Sequence, residues 1–288
     1  MRGLAEYAMS GRRQAILVAV LFGLVPLLYP LSAAVVALVV LRRGLQEGLI
    51  VLLWALLSAG LHWLGGSTSP VIVLVGTTAL AWLLSNTQSW QKVLLTATVL
   101  GLVLQLSLPL RLDYLAGFEQ AIELAINERI EAGQPLQIPQ GQEMVDATPA
   151  QIVLLLMSFY GAVHMLLFTA ALMAARASQA RLYNPGGFGQ EFYNLRIDPR
   201  LMAVLFGICI VGIYGITPLA ELLPLFCVIP MLVGLAVIHS VVASLKLGAI
   251  WLVITYLVLV LMSPIMMPLV VMLGFTDSVI DIRKRLKK

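Results

Sequence analysis

Polar side chains inside long apolar runs are the first candidates for chemistry in this sequence. His164 and Tyr160 lie in the apolar run of residues 151–174, and Gln105 lies in the run of residues 93–110. Polar groups within a membrane are costly and must face either a partner or a cavity. These three residues therefore predict a pocket for a small neutral or amphipathic ligand. Hydrogen bonds between neighbouring helices would explain them equally well.

Catalytic and metal-binding constellations are missing from the sequence. No apolar run contains a pair of carboxylates, a nucleophile beside a base, or His and Cys residues at metal-ligand spacing. Cys209 and Cys227 both lie within apolar runs, which favours small buried hydrophobic residues over a disulfide framework. We therefore expect no enzyme, no metal site and no cofactor. The absence of charged residues in the middle of the runs argues against a proton relay or a strongly ion-coupled carrier.

The composition indicates the class of protein that must position these side chains. Charged residues make up 11% of the chain, whereas soluble domains average about 25%. Hydrophobic residues make up 60%, and the mean hydropathy of +0.98 indicates a multi-pass membrane protein. Because lipid cannot satisfy free backbone groups, we predict an all-α polytopic transmembrane helical bundle. Its surroundings are the lipid bilayer, and no nucleic-acid partner is expected.

Prolines near the middle of the first and last apolar runs predict short helical hairpins. Residues 14–41 are more than the roughly 20 residues that one transmembrane helix needs, and Pro26 and Pro30 lie near their centre. A turn there keeps the arginines on both flanks of the run on one side of the membrane, as the positive-inside bias favours. The same reasoning predicts a hairpin at Pro264 and Pro268. The total is then ten membrane segments, or eight if a hairpin is only re-entrant.

The distribution of charge along the chain predicts its topology. Residues 111–150 contain seven acidic residues and two arginines, which is typical of the outer face, and they begin with the apolar spacing of an amphipathic helix. This helix is expected to lie across the external ends of the bundle or to form a lid over a binding site. The other Lys and Arg residues then face the cytoplasm of a bacterium. The chain is predicted to start with a cytoplasmic segment (1–13), a membrane block (14–110) and the external region (111–150). A membrane helix (151–174) and a cytoplasmic loop (175–200) follow. A second membrane block (201–275) and a basic cytoplasmic tail (276–288) complete the order.

The predicted cytoplasmic loop, residues 175–200, is the one long polar and net-basic interruption between two apolar blocks. Its sequence Asn184-Pro185-Gly186-Gly187 predicts a tight turn, because proline presets φ at one turn position and glycine accepts a positive φ at the next. The spacing of the glycines matches neither the dinucleotide fingerprint nor the P-loop. We therefore expect an ordered loop and not a phosphate-binding site.

Three arginines of this loop are candidate contacts for a partner. Arg176, Arg181 and Arg196 lie on both sides of the predicted turn. Beside a membrane such residues face anionic headgroups. The alternative is that the arginines and the turn together form the docking surface for a cytoplasmic partner.

A stripe of small residues runs along the first apolar segment. Ala15, Ala19 and Gly23 recur every four residues and share one helix face. Such a stripe lets two helix backbones approach closely. It predicts either packing within the bundle or a contact face for another membrane protein subunit.

Three stretches of the chain carry a resemblance to known membrane proteins. The proline hairpin before Arg42-Arg43-Gly44, the loop RLYNPGGFGQEF and the ending GFTDSVIDIRKR resemble the uncharacterised bacterial YybS-like family. The opening is more distantly similar to the S components of energy-coupling-factor transporters and to the cell-shape protein MreD. In S components an Ala-x-x-x-Ala stripe docks the transmembrane scaffold subunit, and Ala15 and Ala19 match it in form. The resemblance implies either a transport-related subunit that binds a small molecule or a non-catalytic membrane scaffold.

Overall fold

Helices make up most of the residues that the structure describes, which are 2–108, 112–131, 137–140, 143–146 and 149–285 in a computed structural model. The helices are α1 (Arg2–Ser10), α2 (Arg12–Leu24), α3 (Tyr29–Arg43), α4 (Leu45–Leu64), α5 (Ser69–Thr87), α6 (Trp90–Ser107), α7 (Leu112–Glu131), α8 (Pro149–Ser158), α9 (Tyr160–Tyr183), α10 (Gly187–Tyr193), α11 (Pro199–Ile213), α12 (Leu219–Ser244), α13 (Ile250–Leu261), α14 (Ser263–Ile280) and α15 (Ile282–Arg285). An antiparallel pair of strands, β1 (Gln137–Gln140) and β2 (Glu143–Asp146), lies within the acidic region. The predicted all-α bundle is confirmed, with this short hairpin as an addition.

Helix lengths agree with a polytopic membrane protein. Six described segments are long and apolar enough to cross a membrane, namely α4, α5, α6, α8 with α9, α12 and α14. Two shorter apolar helices, α11 and α13, accompany them. The predicted total of eight or ten membrane segments, which would also include α2 and α3, stays a prediction.

The predicted N-terminal hairpin is present, with its turn at Pro26. Val25 adopts extended backbone angles, φ −93° and ψ 122°, as expected for a residue that precedes proline. Pro30 lies in the first turn of α3, where its missing amide costs no helical hydrogen bond. The Ser32 hydroxyl donates to the Ala19 carbonyl over 2.7 Å and ties the two arms together.

Helix α3 lies at the centre of the N-terminal block. Every residue from Ser32 to Val40 is buried, and the helix packs against α2, α4, α5 and α9. Its 15 residues span only about 22 Å, less than the roughly 30 Å of a hydrocarbon layer. A helix this short is tolerated because protein surrounds it, as we expect for the arms of a proline hairpin.

The segment formed by α8 and α9 differs from its predicted form in two ways. Residues 151–174 are predicted as one helix, whereas the structure breaks the segment at Phe159 and continues α9 to Tyr183. The predicted cytoplasmic loop of residues 175–200 therefore begins with the last turns of α9 and also contains α10. The first charged residue, Arg176, marks where the chain leaves the apolar layer and not where the helix ends.

The C-terminal block is organised by a close crossing of α12 and α14. A Cβ atom added to Gly234 would overlap the Val270 carbonyl oxygen, and one added to Gly274 would overlap the Pro230 carbonyl oxygen. Glycine at both positions lets the two backbones touch, which is a common packing mode of membrane helices. In contrast, α13 has no buried residue in the bundle.

The predicted C-terminal hairpin is also present, with its turn at Met262. The start of α13 follows the end of α12, where the His239 ring lies edge-on to Phe192 of α10 at 5.2 Å between centroids. The end of α14 leads to Arg283, which donates to the Tyr193 carbonyl directly after α10. Both flanks of the hairpin are therefore at the same end of the bundle as α10.

The two ends of the bundle differ in charge. We call one of them the basic end, and it carries Arg12, Arg42, Arg176, Arg196 and Arg283. The Arg42 guanidinium lies 4.0 Å from the centroid of the Tyr183 ring, which places the end of α3 beside the end of α9. The opposite end carries His62, which lies 2.8 Å from the carbonyl oxygen of Gly23, and it also carries Ser69.

Candidate functional site

Gln105 lies at the break between α8 and α9. In an uninterrupted helix the Gly161 amide would donate to the Met157 carbonyl, four residues earlier. Here the Gln105 side-chain amide donates to the Met157 carbonyl over 2.8 Å, and the Gly161 amide donates to the Gln105 side-chain oxygen over 2.8 Å. A side chain of α6 thus replaces one helical hydrogen bond of its neighbour, which is a known cause of helix kinks.

Two glycines bring Gln105 close enough to reach that backbone. A Cβ atom on Gly101 would lie 2.9 Å from the Gly161 carbonyl oxygen, and one on Gly161 would lie 2.5 Å from the Gly101 carbonyl oxygen. The backbones of α6 and α9 therefore meet without intervening side chains. The kink is a joint property of Gly101, Gln105 and Gly161.

His164 is buried, with 3% of its surface exposed, one turn after the break. Its Nδ1 atom lies 2.9 Å from the Tyr160 carbonyl oxygen, and its Nε2 atom lies 3.2 Å from the Ser69 hydroxyl of α5. The Tyr160 ring lies against it at 4.4 Å between centroids, and the Phe168 ring lies at 6.3 Å. The imidazole therefore connects α9 to α5.

The three residues of the predicted pocket form two neighbouring contacts. Tyr160 and His164 touch each other, and Gln105 binds the backbone of Met157, three residues before Tyr160, and of Gly161, directly after it. For Gln105 the structure supports a hydrogen bond between helices, because both ends of its amide already have backbone partners. A ligand-binding role for His164 and Tyr160 stays a prediction.

The stripe of small residues is an internal packing face. Ala15 and Ala19 have no exposed surface, and Gly23 is buried. A Cβ atom on Gly23 would overlap the Ser58 hydroxyl of α4, and the Ser32 hydroxyl of α3 binds the backbone of Ala19. The interpretation of this stripe as a contact face for another subunit is therefore wrong, because α3 and α4 already cover it.

A network of charged groups holds α10 against the basic end. Arg176 donates to both carboxylate oxygens of Glu191, at 3.0 and 2.6 Å. The Trp90 indole also donates to Glu191, at 3.3 Å. Arg176 donates to the Gln179 side chain at 2.6 Å, and Gln179 in turn donates to the Leu41 carbonyl at 3.2 Å. The network joins α3, α6, α9 and α10.

A second network, which the sequence analysis missed, anchors the end of the chain. Arg283 donates to one carboxylate oxygen of Asp277 at 2.6 and 3.1 Å, to the Tyr193 carbonyl at 2.6 Å and to the Leu195 carbonyl at 3.0 Å. The side chains of Arg283 and Asp277 are only 5% and 1% exposed. An acidic residue six positions before an arginine, at the end of an apolar segment, is the sequence signal that could have suggested this clamp.

The three arginines predicted to contact a partner have different roles. Arg196 forms a bidentate ion pair with Asp281, in which one of the two hydrogen bonds is 2.8 Å long. Arg176 is committed to Glu191. Arg181 is exposed, and within the described part of the chain no ion pair or side-chain hydrogen bond involves it. Arg176 and Arg196 therefore already bind residues of the same chain, and their contact with a partner stays a prediction.

The predicted turn is present between α9 and α10. The Gly187 amide donates to the Asn184 carbonyl over 2.9 Å, which closes a four-residue turn. Gly186 has φ +86° and ψ −13°, the values that the third position of a type II turn requires. Asn184, Pro185 and Gly186 are exposed, so the turn projects from the basic end together with Arg181.

The two cysteines lie at the contact between α11 and α12. Their sulfur atoms are 3.9 Å apart, and both thiols are free. Cys209 is buried and Cys227 is partly buried. Within the described ranges, no group of three or more His, Cys, Asp or Glu residues is arranged to hold a metal ion.

The fold and these contacts define a polytopic membrane protein of the all-α class, built from several apolar helices. Comparison with protein-family models, with curated proteins and with solved structures finds no match. The surfaces and internal contacts of the bundle are therefore the basis for its function.

Proposed function

We propose that this protein is a non-catalytic scaffold or assembly subunit of the bacterial cytoplasmic membrane, and that it binds a partner through its basic end. The proposal rests on the fact that some arginines at this end form internal contacts whereas another is exposed. Arg176 and Arg283 are committed to internal contacts that fix α10, and Arg181 and residues 184–186 of the turn are left exposed. A fixed surface with a free guanidinium suits docking, because little conformational entropy is lost on binding.

The chemistry of this surface favours an acidic partner. Arg181 supplies a planar cation that can bind a carboxylate with two parallel hydrogen bonds. Arg42 lies in the same region, with its guanidinium over the Tyr183 ring. The positive-inside bias assigns this end to the cytoplasm. The expected partner is therefore an acidic cytoplasmic segment of another membrane or membrane-associated protein.

Charge reversal at Arg181 is the direct test of this function. In cells, proteins that co-purify with the wild type after mild crosslinking would be quantified by mass spectrometry against those of Arg181→Glu. We expect at least one acidic partner to decrease about tenfold or more, because like charges at an interface repel strongly. The melting temperature of the purified variant should not change, since Arg181 makes no ion pair with any residue that the structure describes.

Lys246→Glu is the matched control, because Lys246 is an exposed cation that follows α12 and is not part of the turn. This variant should keep the partner. If Arg181→Glu recovers the same set of proteins in the same amounts as the wild type, the scaffold function is rejected.

The second candidate is a transport-related subunit that binds a small neutral or amphipathic molecule. The observation that favours it is a meeting of polar side chains from three helices near the opposite end. Ser69 of α5 contacts His164 of α9, and Tyr29 of α3 lies close enough to Tyr160 for an electrostatic interaction. Such groups are costly in lipid and mark ligand sites in membrane proteins.

A thermal-shift screen of neutral and amphipathic metabolites tests this second function. A true ligand should raise the melting temperature of the wild type but not of His164→Ala. Thr169→Ala is the control, because Thr169 is equally buried in α9 and bonds only to the backbone of its own helix. The idea is rejected if no compound in the screen shifts the wild type.

A further inference from the structure

An apolar groove runs between α11 and α14 next to the basic end. Its volume is about 350 Å³, which is within the range of about 300–1,000 Å³ for small-molecule sites. Ala203 and Phe206 line one wall, and Met272 and Phe275 line the other. The rings of Phe206 and Phe275 meet edge to face at 5.1 Å between centroids, so the two walls touch there. In a membrane, such a groove accepts a hydrocarbon chain.

A polar cavity of about 250 Å³ lies beside one end of this groove. Pro199 and Ser278 line both spaces, so the groove and the cavity are neighbours. The cavity is lined by Gln91, Arg196, Asp198 and Asp277 in addition. These residues lie where α11 begins and α14 nears its end, which is the level at which a headgroup sits if the helices cross the bilayer.

The charges that line the cavity are of both signs. Arg196 already pairs with Asp281, and Asp277 pairs with the buried Arg283. The carboxylate of Asp198 accepts a hydrogen bond from the Arg200 backbone amide, and no ion pair involves it within the described residues. Asp198 caps the N-terminus of α11 and is therefore the carboxylate of this cavity that is not engaged in an ion pair among the described residues.

We infer that the groove and the cavity together bind one glycerophospholipid with a zwitterionic aminoethyl headgroup, such as phosphatidylethanolamine. An acyl chain lies in the groove between α11 and α14. The phosphate accepts hydrogen bonds from guanidinium N–H groups of Arg196, which has five donors and uses only part of them for Asp281. The primary ammonium donates to Asp198. This site is separate from the exposed turn and from the cluster around His164.

The charge pattern decides against other amphiphiles. A fatty acid or an anionic phospholipid such as phosphatidylglycerol could place its negative group at Arg196 but supplies no ammonium for Asp198, so two negative charges would lie close together. Phosphatidylcholine has a positive headgroup but no N–H donor, so it cannot form the charge-assisted hydrogen bond with the carboxylate. Only a headgroup with both a phosphate and a primary ammonium complements Arg196 and Asp198 together.

Native mass spectrometry of the full-length protein in detergent tests the inference. The protein would be equilibrated with phosphatidylethanolamine, phosphatidylglycerol and phosphatidylcholine of the same acyl chains. We expect phosphatidylethanolamine to be retained about tenfold over each competitor, the factor expected from one charge-assisted hydrogen bond. Asp198→Asn should reduce this preference to near equality and still retain lipid.

Two tryptophan variants on α11 locate the acyl chain. Ala203→Trp fills the groove and should reduce the retained phosphatidylethanolamine about tenfold. Val204→Trp is the control, because Val204 is 60% exposed on the same helix and does not line the groove. If Ala203→Trp fails to fold, Asp198→Asn still decides the question.

Two results would overturn the inference. One is equal retention of the three lipids by the wild type, or a preference for phosphatidylglycerol, which would indicate ordinary lipid contact at a hydrophobic surface. The other is an unchanged headgroup preference in Asp198→Asn. Neither result bears on the scaffold function, which is tested separately at Arg181.

Discussion

Removal of the Arg283 side chain is the most informative perturbation of this bundle. In Arg283→Ala the buried carboxylate of Asp277 loses its cation, and the carbonyls of Tyr193 and Leu195 lose their donors. The second carboxylate oxygen of Asp277 is buried and has no hydrogen-bond partner, so the charge depends on Arg283. Breaking a buried ion pair by removing one partner costs about 3–5 kcal/mol, and we expect a loss of this size.

The Arg196–Asp281 ion pair supplies an internal comparison. It lies at the same end of the bundle, but its side chains are 41% and 22% exposed, against 5% and 1% for Arg283 and Asp277. Exposed ion pairs contribute about 0–1 kcal/mol, so Arg196→Ala should have little effect on stability. The double variant Asp277→Leu/Arg283→Met removes both charges and should be more stable than Arg283→Ala.

Thermal unfolding of the detergent-purified variants measures these differences, and limited chymotrypsin digestion reports on local opening. Arg283→Ala should unfold at a clearly lower temperature than Arg196→Ala. It should also be cut faster at Tyr193, because the clamp is what holds the chain after α10. Equal midpoints and equal cleavage rates for the two variants would refute the reasoning, since burial would then make no difference to the value of an ion pair.

The other predictions concern glycines and topology. Gly274→Ala should strongly reduce the yield of folded protein in a fluorescence-detected gel filtration assay, because its Cβ would overlap a backbone carbonyl of α12. Gly207→Ala is the control and should not reduce the yield, because its Cβ meets no atom within 4 Å. Gly186→Ala should cost about 1 kcal/mol in thermal unfolding, because φ is +86° there, and a loss of zero would argue against the turn. After replacement of the two native cysteines, Gln140→Cys should react with an impermeant reagent in intact cells and Pro185→Cys only in opened membranes, and the reverse pattern would place the basic end outside.

Local rules made several parts of the fold predictable from the sequence. The proline pairs at positions 26 and 30 and at positions 264 and 268 mark the two hairpins, because proline restricts the residue before it and disfavours a continuous helix, and the flanking charges then decide for a reversal. The Pro185-Gly186 pair predicts the turn for an equally local reason. In each case the information lies within a few adjacent residues, so no knowledge of the tertiary structure was needed.

The partners of polar residues could not be predicted in this way. Gln105 is visible in the sequence as a polar residue in an apolar run, but its partners are 52 and 56 residues away. Their contact depends on the approach of Gly101 to Gly161, which no local pattern specifies. The same holds for the small-residue stripe, since a face that allows close approach does not indicate whether the approaching helix belongs to the same chain.

The basic loop shows a third kind of limit. Arg176 was interpreted as the start of a loop because charged residues leave the apolar layer. Hydrophobicity reports the boundary of the membrane, whereas a helix ends where its backbone hydrogen bonds end. The long side chains of Arg176 and Gln179 bind α10 and α3 from the projecting part of α9, so the helix continues beyond the apolar run.

Both proline hairpins handle the same physical problem, which is that a turn inside an apolar layer exposes backbone amides. A helix start leaves donors without partners, and proline removes one of them because it has no N–H group. At the second hairpin the amides of Ile265 and Met266 both donate to the Met262 carbonyl, at 3.0 and 2.9 Å. At the first, the amides of Leu31 and Ser32 both donate to the Leu28 carbonyl, at 2.9 and 3.3 Å. One carbonyl and one proline thus reduce the number of free donors at each turn, which explains how the chain can reverse direction within an apolar layer.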